Sequence, residues 1–483
     1  MAGFSKGPNP FFRLSPAEPA KAKCFAVQRG EMTGRIDSKY FALRETLAGR
    51  YPLIPLGTLV KSEPDYGSGA RAIPRTAHDQ PRYIRITDFG EDGIEPDHEF
   101  VTADPIEPDC FLTADDFLFA RSGATVGKTY LHEDTSEHAI FAGYCIRFRF
   151  DPSKALPRFV YWWTKTSAYL RWVATIQRPA GQPNINKEEF KSCLIPLPGD
   201  TSEQGRLVAA MDAARAARRA KLEQADALLA GLDSFLLQTI GINPTPPQRQ
   251  VFAVRANDTT DSRFDPDSHS LRFKTIREGI ERGRYPSASA EELCQTITTG
   301  FAAGRQDQAF DYESGVPHLR PLNLNTFGQL SLEGTKFVPK ESVADSDWCV
   351  RGEVLFNNTN STEMVGKSAV FDLEKPCACS NHITRLKPRS GVDAEYLAAV
   401  FNALRRIGYL ALLSTNFNNQ AGINRATLRQ LRLPRPPTTK QELISAEVRR
   451  RREEARRLRA EGEAGWEAAK RWFEEQILGA STP

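Results

Sequence analysis

The sequence has no apolar run approaching the ~20 residues that span a bilayer. Its opening stretch, MAGFSKGPNPFFRLSP, has no apolar signal core. The expectation is a cytoplasmic chain with no membrane contact, opening on an ordinary arm over residues 1–34. Cysteine is sparse and badly spaced for metal: none of Cys24, Cys110, Cys145, Cys193, Cys294, Cys349, Cys377 and Cys379 forms a CxxC pair. Seven scattered histidines do not complete the four converging ligands of a zinc site. No metal is expected, and the thiols are expected to be free in a reducing compartment. Net charge is only +4 over 483 residues, which permits contact with nucleic acid without arguing for it. What is there is the composition of a globular protein, 40% hydrophobic and 26% charged, in a chain too long for a single core.

Catalytic motifs are missing too. The stretch GATVGKT (123–129) has three residues between its glycines, one short of a loop that wraps phosphates. Its later counterpart, NSTEMVGKS (360–368), has no first glycine at all. Both read as tight turns between strands, each carrying one lysine toward a phosphate backbone. Asn9-Pro10-Phe11-Phe12 imitates the tetrapeptide of amino-methyltransferases but lacks its second proline, and no glycine-rich cofactor loop accompanies it. Glu189-Phe190-Lys191 imitates the end of a nuclease motif, yet its counterpart is Thr427-Leu428-Arg429, so it reads as a solvated helix turn. The chain is expected to be non-catalytic.

Self-similarity organises the rest. Phe25-Ala26-Val27 and Arg35-Ile36-Asp37 recur as Phe252-Ala253-Val254 and Arg263-Phe264-Asp265. Leu118-Phe119 and Val126-Gly127-Lys128-Thr129 recur as Leu355-Phe356 and Val365-Gly366-Lys367-Ser368. GQPNINKEEFKSCLIPLP (181–198) recurs as NQAGINRATLRQLRLPRP (419–436), and FLLQTIG (235–241) as FEEQILG (473–479). The copies diverge most over 50–115 and 275–350. Shared blocks around dissimilar ones imply one mechanism applied to two targets.

Each copy runs from strand-like segments, such as 83–86 and 144–150, into a helix-like stretch (157–176 or 394–413) and a Gln/Asn-rich loop. A proline-punctuated exit then opens on a long proline-free helix. Leu222, Ala225, Leu229, Leu232 and Leu236 step as a coiled-coil seam. Ile444, Val448, Ala455, Leu458, Ala469 and Phe473 form a weaker one. The two helices are expected to pack on each other antiparallel, with the recurring domains toward opposite ends. Arg449 to Arg452, Arg456, Arg457 and Arg459 make the second helix basic, and Arg218-Arg219 matches Arg456-Arg457. Such runs are commonly solvated faces, but the match raises the prospect of a shared contact with DNA or a partner subunit.

FLFARSGATVGKTYL and VLFNNTNSTEMVGKSAVF, GQPNIN and NQAGIN before LIPLP and LRLPRPP, then SEQ and TKQ opening a long helix, resemble the specificity subunit of Type I restriction–modification systems. The resemblance runs from about Arg35 to Gly479, in both copies and in order. It implies an α+β chain: two α/β target-recognition domains joined by two long helices that form an antiparallel coiled coil. The division is an arm (1–34), a first recognition domain (35–200), a long helix (201–241), a linker with the second recognition domain (242–437) and a second long helix (438–479). Each domain would read one half of a bipartite site in double-stranded DNA. Two adenine-methyltransferase (modification) subunits would dock, then restriction/translocase subunits. S-adenosylmethionine, ATP and Mg would be bound by those partners and no cofactor by this chain. The alternatives are a coiled-coil assembly protein that reads no sequence, or a specificity subunit of a related restriction system with a different nuclease partner.

Phosphate contacts set position and base edges choose sequence. Arg121, Lys128 and Lys367, in or near the repeated turn, are the phosphate candidates. Base readers should differ between copies: Arg82, Tyr83, Arg85 and Asp88 in the first, His318, Arg320, Asn323 and Asn325 in the second. Gln182 and Gln420 recur, which suits a shared role in backbone contact or loop architecture. Tyr161, Trp162, Trp163 and Trp172 read as core or partner surface.

Overall fold

The runs FLFA and VLFN lack the alternation of a half-exposed strand, because both of their faces are covered. The computed structural model describes residues 47, 49–77, 79–91, 93, 101–133, 135–177, 183–242, 253, 269–304, 308–417 and 420–479. The arm 1–34, the tetrapeptide 9–12, the first repeat block (25–37) and most of its counterpart (252–265), the connection 243–250 and Gln182 lie outside the described residues.

The chain divides into two units, Met1–Lys221 with Ala460–Pro483, and Leu222–Arg459. In the first, strands β1 (Leu53–Pro55), β2 (Asp65–Tyr66), β3 (Arg71–Pro74), β4 (Arg82–Ile84), β5 (Val101–Asp104), β6 (Phe117–Ala120), β7 (Thr129–Leu131), β8 (Ala139–Phe141) and β9 (Cys145–Phe148) come first. Helices α1 (Pro157–Trp163), α2 (Ser167–Ile176) and α3 (Lys187–Lys191), strand β10 (Leu194–Pro196) and the long helix α4 (Thr201–Ile240) follow, the residues of α4 from Leu222 onward being counted in the second unit. The second unit has α5 (Leu271–Glu281), β11 (Ser287–Ser289), α6 (Ala290–Leu293), β12 (Cys294–Thr299), β13 (Val316–Leu319), β14 (Lys336–Val338), β15 (Val354–Asn357), β16 (Thr359–Asn360), β17 (Ser368–Val370), β18 (Ala378–Cys379) and β19 (Ile383–Pro388). It continues through α7 (Ala394–Arg406), α8 (Tyr409–Leu413), β20 (Thr415–Phe417), β21 (Gln420–Gly422), α9 (Arg425–Gln430), β22 (Arg432–Pro434) and the long helix α10 (Thr438–Leu478), the residues of α10 from Ala460 onward being counted in the first unit.

The two units share one plan. A four-stranded sheet of order β2-β9-β6-β7 in the first has its counterpart in β12-β19-β15-β17 in the second. Phe117 and Phe119 face a core with the helices while Leu118 faces a smaller core under the divergent segment. Val354, Phe356 and Leu355 divide in the same way. Two-stranded ribbons, β1 with β10 and β11 with β22, close each copy beside the proline-rich exits. Even the divergent segments agree in one pairing, since β4 runs parallel to β8 and β13 parallel to β18. The α+β class expected from the sequence holds.

Each helix-like stretch is broken in two, a correction to the single helices expected over 157–176 and 394–413. Thr166 caps α2 by accepting a hydrogen bond from the Tyr169 amide, and Gly408 enters α8 at φ +74°. Tyr161, Trp162, Trp163 and Trp172 are core, none more than 3% exposed.

The long helices pack antiparallel within each unit. In the first, Arg218 meets Glu463 at 2.8 Å and Lys221 meets Glu461 at 2.9 Å, with Trp466, Phe473 and Ile477 buried in the same core as Leu207 and Met211. In the second, Arg459 meets Asp226 at 2.6 Å and Arg451 donates to Gly231 O at 2.9 Å, over a seam of Ala225, Leu229, Leu232 and Leu236. A buried glutamine opens each helix. Gln204 donates to Lys154 O and Pro198 O and accepts from Leu156 N. Gln441 donates to Gly391 O and Pro436 O and accepts from Asp393 N. These clamps fix the proline exit and the entry to α1 or α7 against the long helix. Among the described residues no helix is long and apolar enough to cross a membrane.

Candidate nucleic-acid interface

The repeated GK turn joins two antiparallel strands in each copy, as its sequence implies. In the first, Ala120 N donates to Lys128 O and Gly127 N to Ala120 O, both at 2.8 Å. In the second, Asn357 N donates to Lys367 O and Gly366 N to Asn357 O at the same distance. Gly127 and Gly366 have φ of +82° and +94°, and a β-carbon on them would strike Val173 or Leu410. The glycine therefore serves both a left-handed turn and the close approach of a helix.

The lysines do not present their charge as the sequence suggested. Lys367 is 7% exposed and its ammonium donates to Pro321 O at 2.8 Å and Leu324 O at 2.7 Å. Burial lowers its pKa, and Arg405 adds to the effect. Lys128 donates to Phe89 O at 3.2 Å. In both copies the lysine ties backbone of the divergent segment onto the constant sheet, so the phosphate assignment of Lys367 is corrected to an internal strut. Leaving a buried carbonyl without its donor costs about 1–3 kcal/mol, enough to explain why a lysine is kept there.

Four base-reader assignments, Tyr83, Asp88, His318 and Asn323, are corrected for the same reason, since all four side chains are buried. Tyr83 is 4% exposed, and its hydroxyl donates to Ser68 O and Ala70 O. Asn323 is fully buried, accepting from Arg320 N and donating to Ser331 O and Thr335 Oγ1. His318 is also buried, its ring 4.8 Å from that of Phe301, and burial lowers its pKa. Arg82, on β4, is half-buried. Arg85 lies against the buried Asp88 carboxylate at 3.2 Å, and Arg320 donates to Gly334 O at 3.1 Å. Asn325 is exposed and closes a turn by accepting from the Phe327 and Gln329 amides. Gln420 is exposed on β21.

The Gln/Asn-rich loop returns beside the turn in both copies. Ser122 bridges to Asn184, and β16 pairs with β21, which in turn pairs with β20. Asn186 and Asn424 cap the helices that follow by accepting from the Glu189 and Thr427 amides. Glu189 completes a capping box and Phe190 is buried in the core, so the nuclease-like tripeptide is a structural helix turn.

At the residue directly after β6 and after β15 the copies part. Arg121 receives its register from Tyr144 O and Ile185 N, and Asn358 from His382 O and Ile423 N, all at 2.9–3.0 Å. The Arg121 guanidinium lies 4.8 Å over the Tyr66 ring. Asn358 is buried and donates to Asn381 O and Thr384 Oγ1. Beside it opens a cleft of about 610 Å³ lined by Thr299, Thr384, Thr415, Gln420 and Arg425.

Sequence reasoning missed a buried ion pair in each scaffold. Arg147 contacts Asp65 and Asp116 and donates to Phe111 O and Asp109 O. Burial alone would lower its pKa, but the two carboxylates raise it. Arg385 faces Glu353 and donates to Trp348 O and Ser346 O. The available signal was an acid directly before each repeated strand, Asp116 before FLFA and Glu353 before VLFN. The basic run of α10 is largely met within the helix: Arg450 with Glu447, Arg456 with Glu453 and Arg457 with Glu454. Arg218 instead crosses to Glu463. The match of Arg218-Arg219 with Arg456-Arg457 is thus not a match of contacts.

No family model matches the chain. By sequence it is 22% identical over 179 residues to a protein of Methanocaldococcus jannaschii provisionally named type I restriction enzyme MjaX specificity subunit. That match takes in 36% of this chain and only 40% of the relative's length. By structure, 89% of the chain aligns with 97% of a solved chain described under the structural basis of complex assembly and conformational transition of the type I R-M system, at 15% identity and a TM-score of 0.51. Lower TM-scores, 0.38 and 0.43, join it to the HsdS subunit from Thermoanaerobacter tengcongensis (16% identical, 89% and 97% covered) and the Type-I restriction-modification S subunit from M. genitalium (10% identical, 90% and 97% covered). The chain has the fold of a chain solved for a type I restriction–modification system. Its curated relative carries the name of a specificity subunit, and the resemblance read from the sequence stands.

Proposed function

We propose that the chain is the non-catalytic specificity subunit of a type I restriction–modification complex, in which each unit reads one half of a bipartite duplex site and the chain docks two methyltransferase subunits. The observation that carries this reading is the doubled scaffold with an undoubled surface. Sheet, turn, capping asparagine and clamping glutamine are repeated, while the side chains after β6 and β15 and those of the divergent segments are not. A structural spacer has no use for such selective divergence. Arg82, Arg85, Arg121, Arg320, Asn325 and Gln420, each at least partly exposed, carry the DNA contacts; S-adenosylmethionine, ATP and Mg belong to the partners. The test is selection by the full chain from a library of randomised duplexes. Two blocks of fixed bases separated by a constant unspecified gap should be enriched on the order of a thousandfold or more over random DNA. Uniform binding, or none, would fit a coiled-coil assembly protein and overturn the proposal.

A further inference from the structure

We infer that Arg121 reads a base edge, selecting guanine in the half-site of the first unit; this deepens the DNA-reading function proposed above and rests on it. The strand ladders align the two copies residue by residue. Phe119 pairs with Ile146 and Phe356 with Thr384, and those partners pair on their other side with Tyr66 and Thr299. Tyr66 therefore corresponds to Thr299. Arg121 and Asn358 correspond through their bonds to Tyr144 O and His382 O, which makes Tyr144 the counterpart of His382.

Backbone geometry is the same at all three places, yet all three side chains change: Tyr66 to Thr299, Arg121 to Asn358, Tyr144 to His382. Next to them the positions that packing or turn geometry needs are kept, as Gly127 and Gly366 or Asn186 and Asn424 show. A phosphate contact would need the same charge in both units, since the DNA backbone is the same for every sequence. A base contact needs a different side chain for each target.

The chemistry of the first unit fits one base. Tyr66 and Tyr144 are 42% and 62% exposed, so the site faces solvent. Arg121 stacks on Tyr66, and no described residue takes a hydrogen bond from its side chain. Stacking fixes the plane of the guanidinium and lowers the entropy lost on binding. A planar fork that can offer its two terminal nitrogens matches O6 and N7 of guanine in the major groove. In the second unit Asn358 has spent its amide on Asn381 O and Thr384 Oγ1, and the adjoining cleft offers hydroxyls and Gln420 in place of a stacked fork.

The experiment selects duplexes from a randomised library with the wild-type full chain, Arg121→Ala and Arg121→Lys. Both variants should lose one guanine preference in one half-site, on the order of tenfold or more, and leave the other half-site intact. That intact half shows the variant is folded. A wild-type chain that selects no sequence sinks the proposed function itself. If the wild type selects a split site while Arg121→Ala keeps every base preference and binds all sequences more weakly, Arg121 touches phosphate and only this inference falls. Full preference restored by Arg121→Lys would overturn it too, because charge without the fork would then suffice. Loss of selection in both halves together would assign Arg121 a structural role and likewise overturn it.

Discussion

Arg147 and Arg385 are 2% and 3% exposed, each held by backbone carbonyls and by acidic side chains, Asp65 and Asp116 for the first and Glu353 for the second. Asp116 is 1% exposed, so replacing Arg147 removes one of the two arginines that meet its charge. Breaking one partner of a buried pair costs about 3–5 kcal/mol. Arg147→Met is expected at the lower end of that range, because Arg149 remains 2.9 Å from Asp116. Urea unfolding followed by circular dichroism measures it, with Arg456→Ala as an exposed control whose midpoint should not move. An equal midpoint for both variants would contradict the assigned role. The sequence hid this pair because Arg147 lies in an alternating strand, where a charge ordinarily marks the solvent face. Lys367 misled for the opposite reason, since neither its burial nor the carbonyls it serves can be read from a glycine–lysine turn.

Among the elements, the GK turn couples the constant sheet to the broken helix pair. Gly127→Ala and Gly366→Ala would each force a left-handed backbone on a residue with a β-carbon and push that carbon into α2 or α8. Each should lose about 1–3 kcal/mol. Gly465→Ala in α10, where an added β-carbon meets nothing within 4 Å, should gain about 0.5–1 kcal/mol instead. Denaturant midpoints at unchanged m-value give all three, and a common sign would defeat the argument from geometry. The turn, the proline exits and the long helices were legible because repetition and periodicity mark them twice. The breaks at Thr164–Thr166 and Ile407–Gly408 were not, since no proline announces them and the apolar pattern runs straight through. The glutamine clamps showed only as SEQ and TKQ; what they hold depends on carbonyls far along the chain.

At the scale of the whole molecule, each copy begins and ends on a two-stranded ribbon, β1 with β10 and β11 with β22, just ahead of its clamping glutamine. A copy is therefore a cassette between common boundaries. From the proposed function it follows that sequence preference travels with the cassette. The direct measurement replaces 287–434 with the segment 53–196, leaving both long helices in place, and determines by selection from randomised duplexes which site the chimaera binds. Two identical half-sites, each carrying the preference of the first unit, are the result expected. Two half-sites that still differ as in the parent chain would contradict the account, because specificity would then reside outside the cassettes.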